Sequence, residues 1–247
     1  HTGKIVILRD DGAAAGTTVR ADGTYLITGG LGGLGLVVAR ALVGRGARHL
    51  VLMGRGGPSD AARAAIAELE TAGARVEVFR GDVGGEDDVA RLMAHVAGSM
   101  PPLRGVIHAA GVIDDGMLIQ QSWPRFESVA RPKIAGAWNL HRATRELPLD
   151  FFVLFSTGSA VLGSAGQGNY SAANAFLDAL AHARRADGLP ALSINWGGWA
   201  GAGMVASMSG HDQRRWREGG VGLIEPDEGV EILERLMADG STQVAVL

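Results

Sequence analysis

One stretch narrows the possible folds more than any other. Thr28-Gly29-Gly30-Leu31-Gly32-Gly33-Leu34-Gly35 follows the apolar, β-branched run Tyr25–Thr28 and leads into the helical pattern Leu34–Gly44. Glycine allows positive φ and leaves room where a Cβ would collide with a ligand. A glycine turn at a helix start aims backbone N–H groups, and the positive end of the helix dipole, at an anion. The spacing Gly30-x-Gly32-x-x-Gly35 is that of a dinucleotide-binding turn, the alternative being a turn that is merely tight.

The rest of the chain repeats the same alternation. Apolar runs occur at Tyr25–Thr28, His49–Met53, Arg75–Phe79, Gly105–His108, Phe151–Phe155, Ala191–Asn195 and Gln243–Leu247. Helical periodicity occupies Leu34–Gly44, Asp60–Ala72, Asp87–Val96, Pro124–Arg145, Ser171–Arg185 and Pro226–Met237. Strand–helix repetition predicts an α/β fold, a Rossmann-like doubly wound parallel sheet in a single domain. Leu50-Val51-Leu52-Met53 is continuously apolar, as a strand covered on both faces must be. Ser59 is expected to cap one helix and Gly73 to end it. Gly197–Gly220, after the sixth core strand, breaks the rhythm and is expected to form a lid. Residues 1–22 read as a linker or the end of a preceding domain, with an extra strand expected at Lys4–Leu8, and residues 23–247 as the domain proper.

Composition excludes several classes. The 247 residues contain no cysteine, so thiol catalysis, Cys-ligated zinc and disulfides are out, and a reducing cytoplasm is expected. A net charge of −3 provides no basic field for nucleic acid. No apolar run is long enough to span a bilayer, and no signal peptide is found. The chain does not start with Met, which suggests excision from something longer.

Residues beyond the turn refine the cofactor. Arg55, at the end of the second strand, lies 20 residues past Gly35, where an acid would bind a ribose diol and an arginine can pair with a 2′-phosphate. This favours NADPH over NADH, the alternative being a solvated loop arginine. Asp82 and Val83, after the third strand, are placed to meet the adenine, although Asp82 could instead cap the next helix. His108-Ala109-Ala110-Gly111 ends the fourth strand with small residues that let backbone pass the cofactor ribose. His108 itself reads as a packed histidine, not a base.

Tyr170 and Asn174 stand four apart on one helix face, Thr157 lies 13 residues before Tyr170 at a strand end, and Lys133 is on the preceding helix. Ketone reduction needs a proton donor and a group to hold the oxygen as charge develops. Tyr170 would donate, Lys133 would stabilise the phenolate, Thr157 would hold the carbonyl oxygen, and Asn174 would position a water. The bland alternative for Tyr170 is a plug at the sheet edge.

The segments Thr28–Gly35, His108–Gly111, Lys133–Leu140, Phe151–Thr157, Gly166–Leu180 and Asn195–Gly203 resemble the catalytic half of ketoreductase domains from modular polyketide synthases, within the short-chain dehydrogenase/reductase superfamily. The likeness runs from Thr24 onward. Gly29-x-x-x-Gly33-x-Gly35 is the superfamily form of the turn, and Asn after Tyr with Lys on the earlier helix is the form of this family, as Asn174 and Lys133 stand here. The resemblance implies a β-ketoacyl thioester on the phosphopantetheine arm of an acyl carrier protein as substrate. It implies other domains of a synthase as partners, and cofactor contacts along Thr28–Gly35 and His108–Gly111, with Arg55, Asp82, Val83, Lys133 and Tyr170. It places substrate at Asp115, Leu162, Gln167, Trp196, Gly197 and Met204. Ile113-Asp114-Asp115 resembles the Leu-Asp-Asp motif of B-type domains; the A-type tryptophan position holds Leu162, and the epimerising proline position holds Ala172. A D-alcohol without epimerisation is implied, with a solvated acidic turn as the alternative. Two departures are Thr157 where the family usually has Ser, and Gly54 where it often has Ser. Thr2–Val6 looks like the end of an enoylreductase domain. A free-standing reductase of small carbonyl compounds and a silent NADPH-binding structural domain remain as alternatives.

Overall fold

A computed structural model describes residues 19–201, 203 and 222–247. The expected strand at Lys4–Leu8, most of the expected lid and Met204 lie outside the described residues.

Seven strands form one sheet: β1 (Thr24–Thr28), β2 (His49–Gly54), β3 (Arg75–Arg80), β4 (Leu103–His108), β5 (Phe151–Thr157), β6 (Leu192–Trp196) and β7 (Gln243–Val246). Their order is β3-β2-β1-β4-β5-β6-β7 and every pairing is parallel. Successive side chains on a strand point to opposite faces, and here both faces are covered. Tyr25 and Ile27 join one core with Leu36 and Leu42 of α1 (Gly33–Gly44), Leu69 of α2 (Asp60–Thr71) and Leu233 of α8 (Pro226–Ala238). Leu26 joins the other, with Leu92 of α3 (Glu86–Ser99), Leu140 of α5 (Gly136–Thr144) and Leu177 of α7 (Gly168–Ala186). This is the doubly wound architecture that the continuous apolar runs predict. Ser59 Oγ accepts from the Ala62 N–H at 3.2 Å, and Gly73 closes α2 with φ +89°.

Strand order reverses between β1 and β4, so the connections leave opposite faces there and open a crevice at the strand C-termini. Thr28, at the end of β1, pairs with Met53 on one side and His108 on the other, which puts three strand ends at the crevice.

Two helices differ from their sequence patterns. The stretch expected as one helix over Pro124–Arg145 is α4 (Trp123–Ala130), a π-helical turn over Arg131–Ala135, and α5. Pro132 has no N–H to give a carbonyl one turn back, and the wider turn absorbs the lost bond. Apolar periodicity hardly registers one widened turn. Helix α7 starts at Gly168, three residues before the expected Ser171, so Tyr170 sits in its first turn. Past β6, Trp199 bridges to Ile224 in parallel.

Candidate active site

A cavity of about 1140 Å³ fills the crevice. Its floor is the glycine turn. Gly29 has φ +70°, and a Cβ there would lie 2.9 Å from the Ala109 carbonyl. A Cβ on Gly35 would lie 2.4 Å from Gly29 O, and one on Gly30 would lie 2.7 Å from Ile27 O. These three glycines let the turn fold onto β1 and β4. Gly32 and Gly33 are exposed on the cavity side. Gly32, the N-cap of α1, offers no side-chain cap, and no acid stands in the first turn. The first N–H groups of α1 are therefore free for an anion. A nicotinamide dinucleotide fits this floor: its pyrophosphate would take those donors, with Thr28, Leu31 and Leu34 alongside.

One wall carries Met53, Gly54 and Arg55. Arg55 is exposed at the rim, where a 2′-phosphate would reach it. A Cβ on Gly54 would approach Leu31 Cδ1 to 3.1 Å, so the serine common in the resembling family would press on Leu31. Asp82 and Val83 line the same side. Burial acts to raise the Asp82 pKa, but the Arg131 guanidinium, with Nε 2.8 Å away, and the Gly84 N–H outweigh it and hold it below the usual range. Asp82 does not cap α3, whose N-cap is Gly85.

The opposite wall holds the residues expected to do chemistry. Thr157 closes β5, Tyr170 opens α7, Lys133 sits in the π turn, and all three line the cavity. Tyr170 is 8% exposed; burial pushes its phenol up to about 12, the Asn174 side chain opposes this, and the Asp115 carboxylate acts with burial. Lys133 is 2% exposed, and its Nζ donates to the Phe155 carbonyl at 2.6 Å. Burial pulls it down to about 7, against the opposing pull of Asp178. Thr157 Oγ1 accepts weakly from the Ser159 N–H and hydroxyl, each at 3.4 Å, in the short helix α6 (Ser159–Leu162). Ala109, Ala110 and Gly111 carry the lining between the two walls.

Three sequence-predicted residues stand behind this lining. Gly30 is closed off by Ile27 and Leu52. Asn174 is fully buried, its Nδ2 donating to the Tyr170 carbonyl at 2.8 Å and its Oδ1 without a partner. His108, expected to pass the cofactor ribose, is turned into the sheet. Its Nδ1 lies 2.7 Å from Thr28 Oγ1, and its Cε1 lies 3.2 Å from where a Cβ on Gly136 would sit. Burial, with Lys133 acting in the same direction, pulls its pKa down to about 3, so it is a neutral packed imidazole.

At the open end, the loop Ile113–Asp115 is tied to the start of α7. Gln167 Nε2 donates to Asp115 Oδ2 at 3.0 Å, and Arg125 Nε donates to Asp114 Oδ1 at 2.9 Å. Asn169 Nδ2 donates to the Asp114 carbonyl at 2.9 Å, and its Oδ1 accepts the Tyr170 N–H at 2.8 Å. Leu162 is exposed at the rim, while Trp196 and Gly197 lie at the base. Sequence reasoning missed Asn169 and the buried polar residues Asp178, Ser193 and Asn195, and weighed Ser156 only as a substitute for Thr157. A signal existed for two of these. Asp178 continues the Tyr170–Asn174 helix face, and Asn195 interrupts an otherwise apolar strand.

Residues 23–201 match the KR-domain family. This chain belongs to that family. The KR domain is 44% identical over 241 residues to the phenolphthiocerol synthesis polyketide synthase type I Pks15/1 of Mycobacterium marinum, covering 96% of this chain and 11% of that protein. It is 45% identical over 251 aligned positions to the Pks1 phenolphthiocerol synthesis polyketide synthase of Mycobacterium tuberculosis, whose name marks it as inactive, covering all of this chain and 15% of that one. Among solved structures, an A-type ketoreductase from a modular polyketide synthase superposes with a TM-score of 0.88 at 38% identity, covering 98% of this chain and 50% of that chain. The first ketoreductase of the tylosin synthase gives a TM-score of 0.84 at 39% identity, over 97% of this chain and 51% of that chain. The KR domain thus spans about half of these ketoreductases and a small part of the synthases. KR domains are oxidoreductases of the short-chain dehydrogenase/reductase type whose fold binds a nicotinamide cofactor, and this chain has that fold. Among the described residues no helix is long and apolar enough to cross a membrane, and no cluster suits a metal ion.

Proposed function

We propose that this KR domain reduces the β-keto group of an acyl thioester, carried on the phosphopantetheine arm of an acyl carrier protein, to the D-β-hydroxyacyl thioester. NADPH is the reductant we assign. The observation that carries the reading is the convergence of Tyr170, Lys133 and Thr157 in one cavity whose floor is the uncapped start of α1.

When bound, NADPH supplies a hydride to the β-carbon. Tyr170 supplies the proton to the oxygen. Its buried phenol holds that proton tightly on its own, so it must be helped to release it. The buried ammonium of Lys133 in the same cavity lowers the cost of the phenolate. Thr157 holds the keto oxygen from the end of a rigid strand, where donors stabilise developing charge best. Threonine keeps the hydroxyl that serine would supply and stiffens χ1. Asn174 Oδ1, buried without a partner, is an acceptor suited to a water behind the phenol. Arg55 favours NADPH through the 2′-phosphate. Asp115 at the rim, with Leu162 where A-type domains have tryptophan, favours entry of the substrate from the Asp115 side and hence the D-alcohol. The inactive label on one relative favours a second reading, a silent domain; the presence of Tyr170, Lys133, Thr157 and Asn174 here weighs against it.

The test is NADPH consumption with a β-ketoacyl N-acetylcysteamine thioester, followed by chiral analysis. Tyr170→Phe is expected to lower kcat by about 100-fold or more. Oxidation indifferent to that change sinks the mechanism, and an L-alcohol sinks the stereochemical assignment.

A further inference from the structure

Beyond Tyr170 and Asn174, the same face of α7 carries Asp178 one turn further on. Asp178 is 7% exposed and lies outside the cavity lining. Ser193 Oγ donates to its Oδ1 at 2.5 Å and Asn195 Nδ2 to its Oδ2 at 2.9 Å. The same Asn195 amide reaches Ser156 Oγ at 2.9 Å and the Thr157 carbonyl at 3.2 Å, so one of its two N–H groups is shared between acceptors. Gln243 Nε2, on β7, donates to Asn195 Oδ1 at 2.9 Å, so the amide is held oxygen toward Gln243 and nitrogen toward Asp178. A hydrogen-bonded chain therefore runs from α7 through β6 to the last residue of β5.

We infer, resting on the ketoreductase reading, that Asp178 and Asn195 are positioning residues: Asn195 fixes the end of β5 that presents Thr157, and Asp178 anchors Asn195 while placing a buried carboxylate on the helix that packs against the turn carrying Lys133.

A buried carboxylate is costly unless its charge is answered. Two hydroxyl and amide donors could be satisfied by a neutral acceptor, so the charge itself calls for a reason. Lys133 provides one. The π turn that carries it packs against α4, α5 and α7. On α4, Arg125 is paired with Asp114 and Glu127 is exposed. On α5, Arg142 pairs with Glu86, and His141 lies 3.1 Å from Arg184. From β4 comes the neutral His108, from β5 only the Phe155 carbonyl, and from α7 Tyr170 and Asp178. The Asp178 carboxylate opposes the loss of the Lys133 proton that burial drives.

The chain has two lysines, Lys4 and Lys133, so Lys133 can be watched directly. This 247-residue chain labelled with ¹³Cε-lysine gives two side-chain signals, which Lys4→Arg assigns. Asp178→Asn is expected to lower the Lys133 midpoint by about one pH unit or more, a tenfold loss of ammonium at fixed pH above it. The alkaline limb of the kcat profile should move with it. Asn195→Ala keeps the charge; it is expected to leave the lysine midpoint in place and to lower kcat about tenfold with the NADPH KM unchanged. A folded Asp178→Asn protein whose Lys133 titrates as in the native chain overturns the charge role. Native kcat in Asn195→Ala overturns the tether, whether or not Asp178→Asn folds. The lysine titration needs no substrate, so a native protein that oxidises no NADPH defeats the ketoreductase reading while the titration still decides Asp178.

Discussion

Lys133 shows how burial sets the working range of a single side chain. Desolvation has moved its ammonium from the usual 10.5 to about 7, so its charge is lost as pH rises through neutrality. The proposed reduction needs the charged form, so kcat/KM for NADPH is expected to fall above about pH 7, and a pH profile at limiting NADPH and saturating thioester checks this. Bound NADPH, with its negative charge, would carry the limb upward in kcat. Thr157 offers a second residue-level test. Thr157→Val keeps the shape and removes the hydroxyl, and kcat should fall by about 100-fold. Thr157→Ser should retain most of the rate, and equal losses in the two variants would show that shape, not hydrogen bonding, is what β5 contributes. Tyr170, Lys133 and Thr157 were all readable from residue type and spacing. The packing of His108 was readable too; what the sequence did not show is its neighbour Gly136, 28 positions away, which leaves room for the imidazole.

At the scale of elements, the glycine turn works because α1 starts against β1 with no side chains between. Gly35 is the tightest point, and Gly35→Ala sets a methyl against Gly29 O. Overpacking of this kind costs about 1–3 kcal/mol. Urea unfolding should register it, and NADPH should bind more weakly because the turn must shift. Ser59→Ala, remote from the cavity, should cost about 1 kcal/mol through loss of the α2 cap and leave cofactor binding alone. Strands and helices were legible nearly to their ends, since each apolar run is covered on both faces. The π turn was not: it alters which way Lys133 projects without altering the apolar period, and Pro132 was its only local mark.

For the whole molecule, the two cores on either side of the sheet bury a polar seam along with their apolar residues. His108 belongs to it and carries a consequence for stability. Its folded pKa of about 3 lies below the unfolded 6.5. The unfolded chain therefore binds a proton that the folded chain refuses, and stability present above pH 6.5 is lost as pH falls toward 3. Denaturant midpoints measured across that window should decline, and His108→Asn should decline less steeply. A variant as acid-sensitive as the native chain would assign the loss to the carboxylates.

The order of strands and helices, the glycine turn and the candidacy of Tyr170, Lys133, Thr157 and Asn174 follow from sequence alone, because periodicity, turn chemistry and residue type are local properties that a linear chain displays. Which of those residues meet, which way Lys133 points, and how Asp178 on α7 reaches the end of β5 through Asn195 depend on contacts between segments far apart in the chain. Only tertiary packing decides these, since a buried polar atom takes whichever partner the folded neighbours bring within reach.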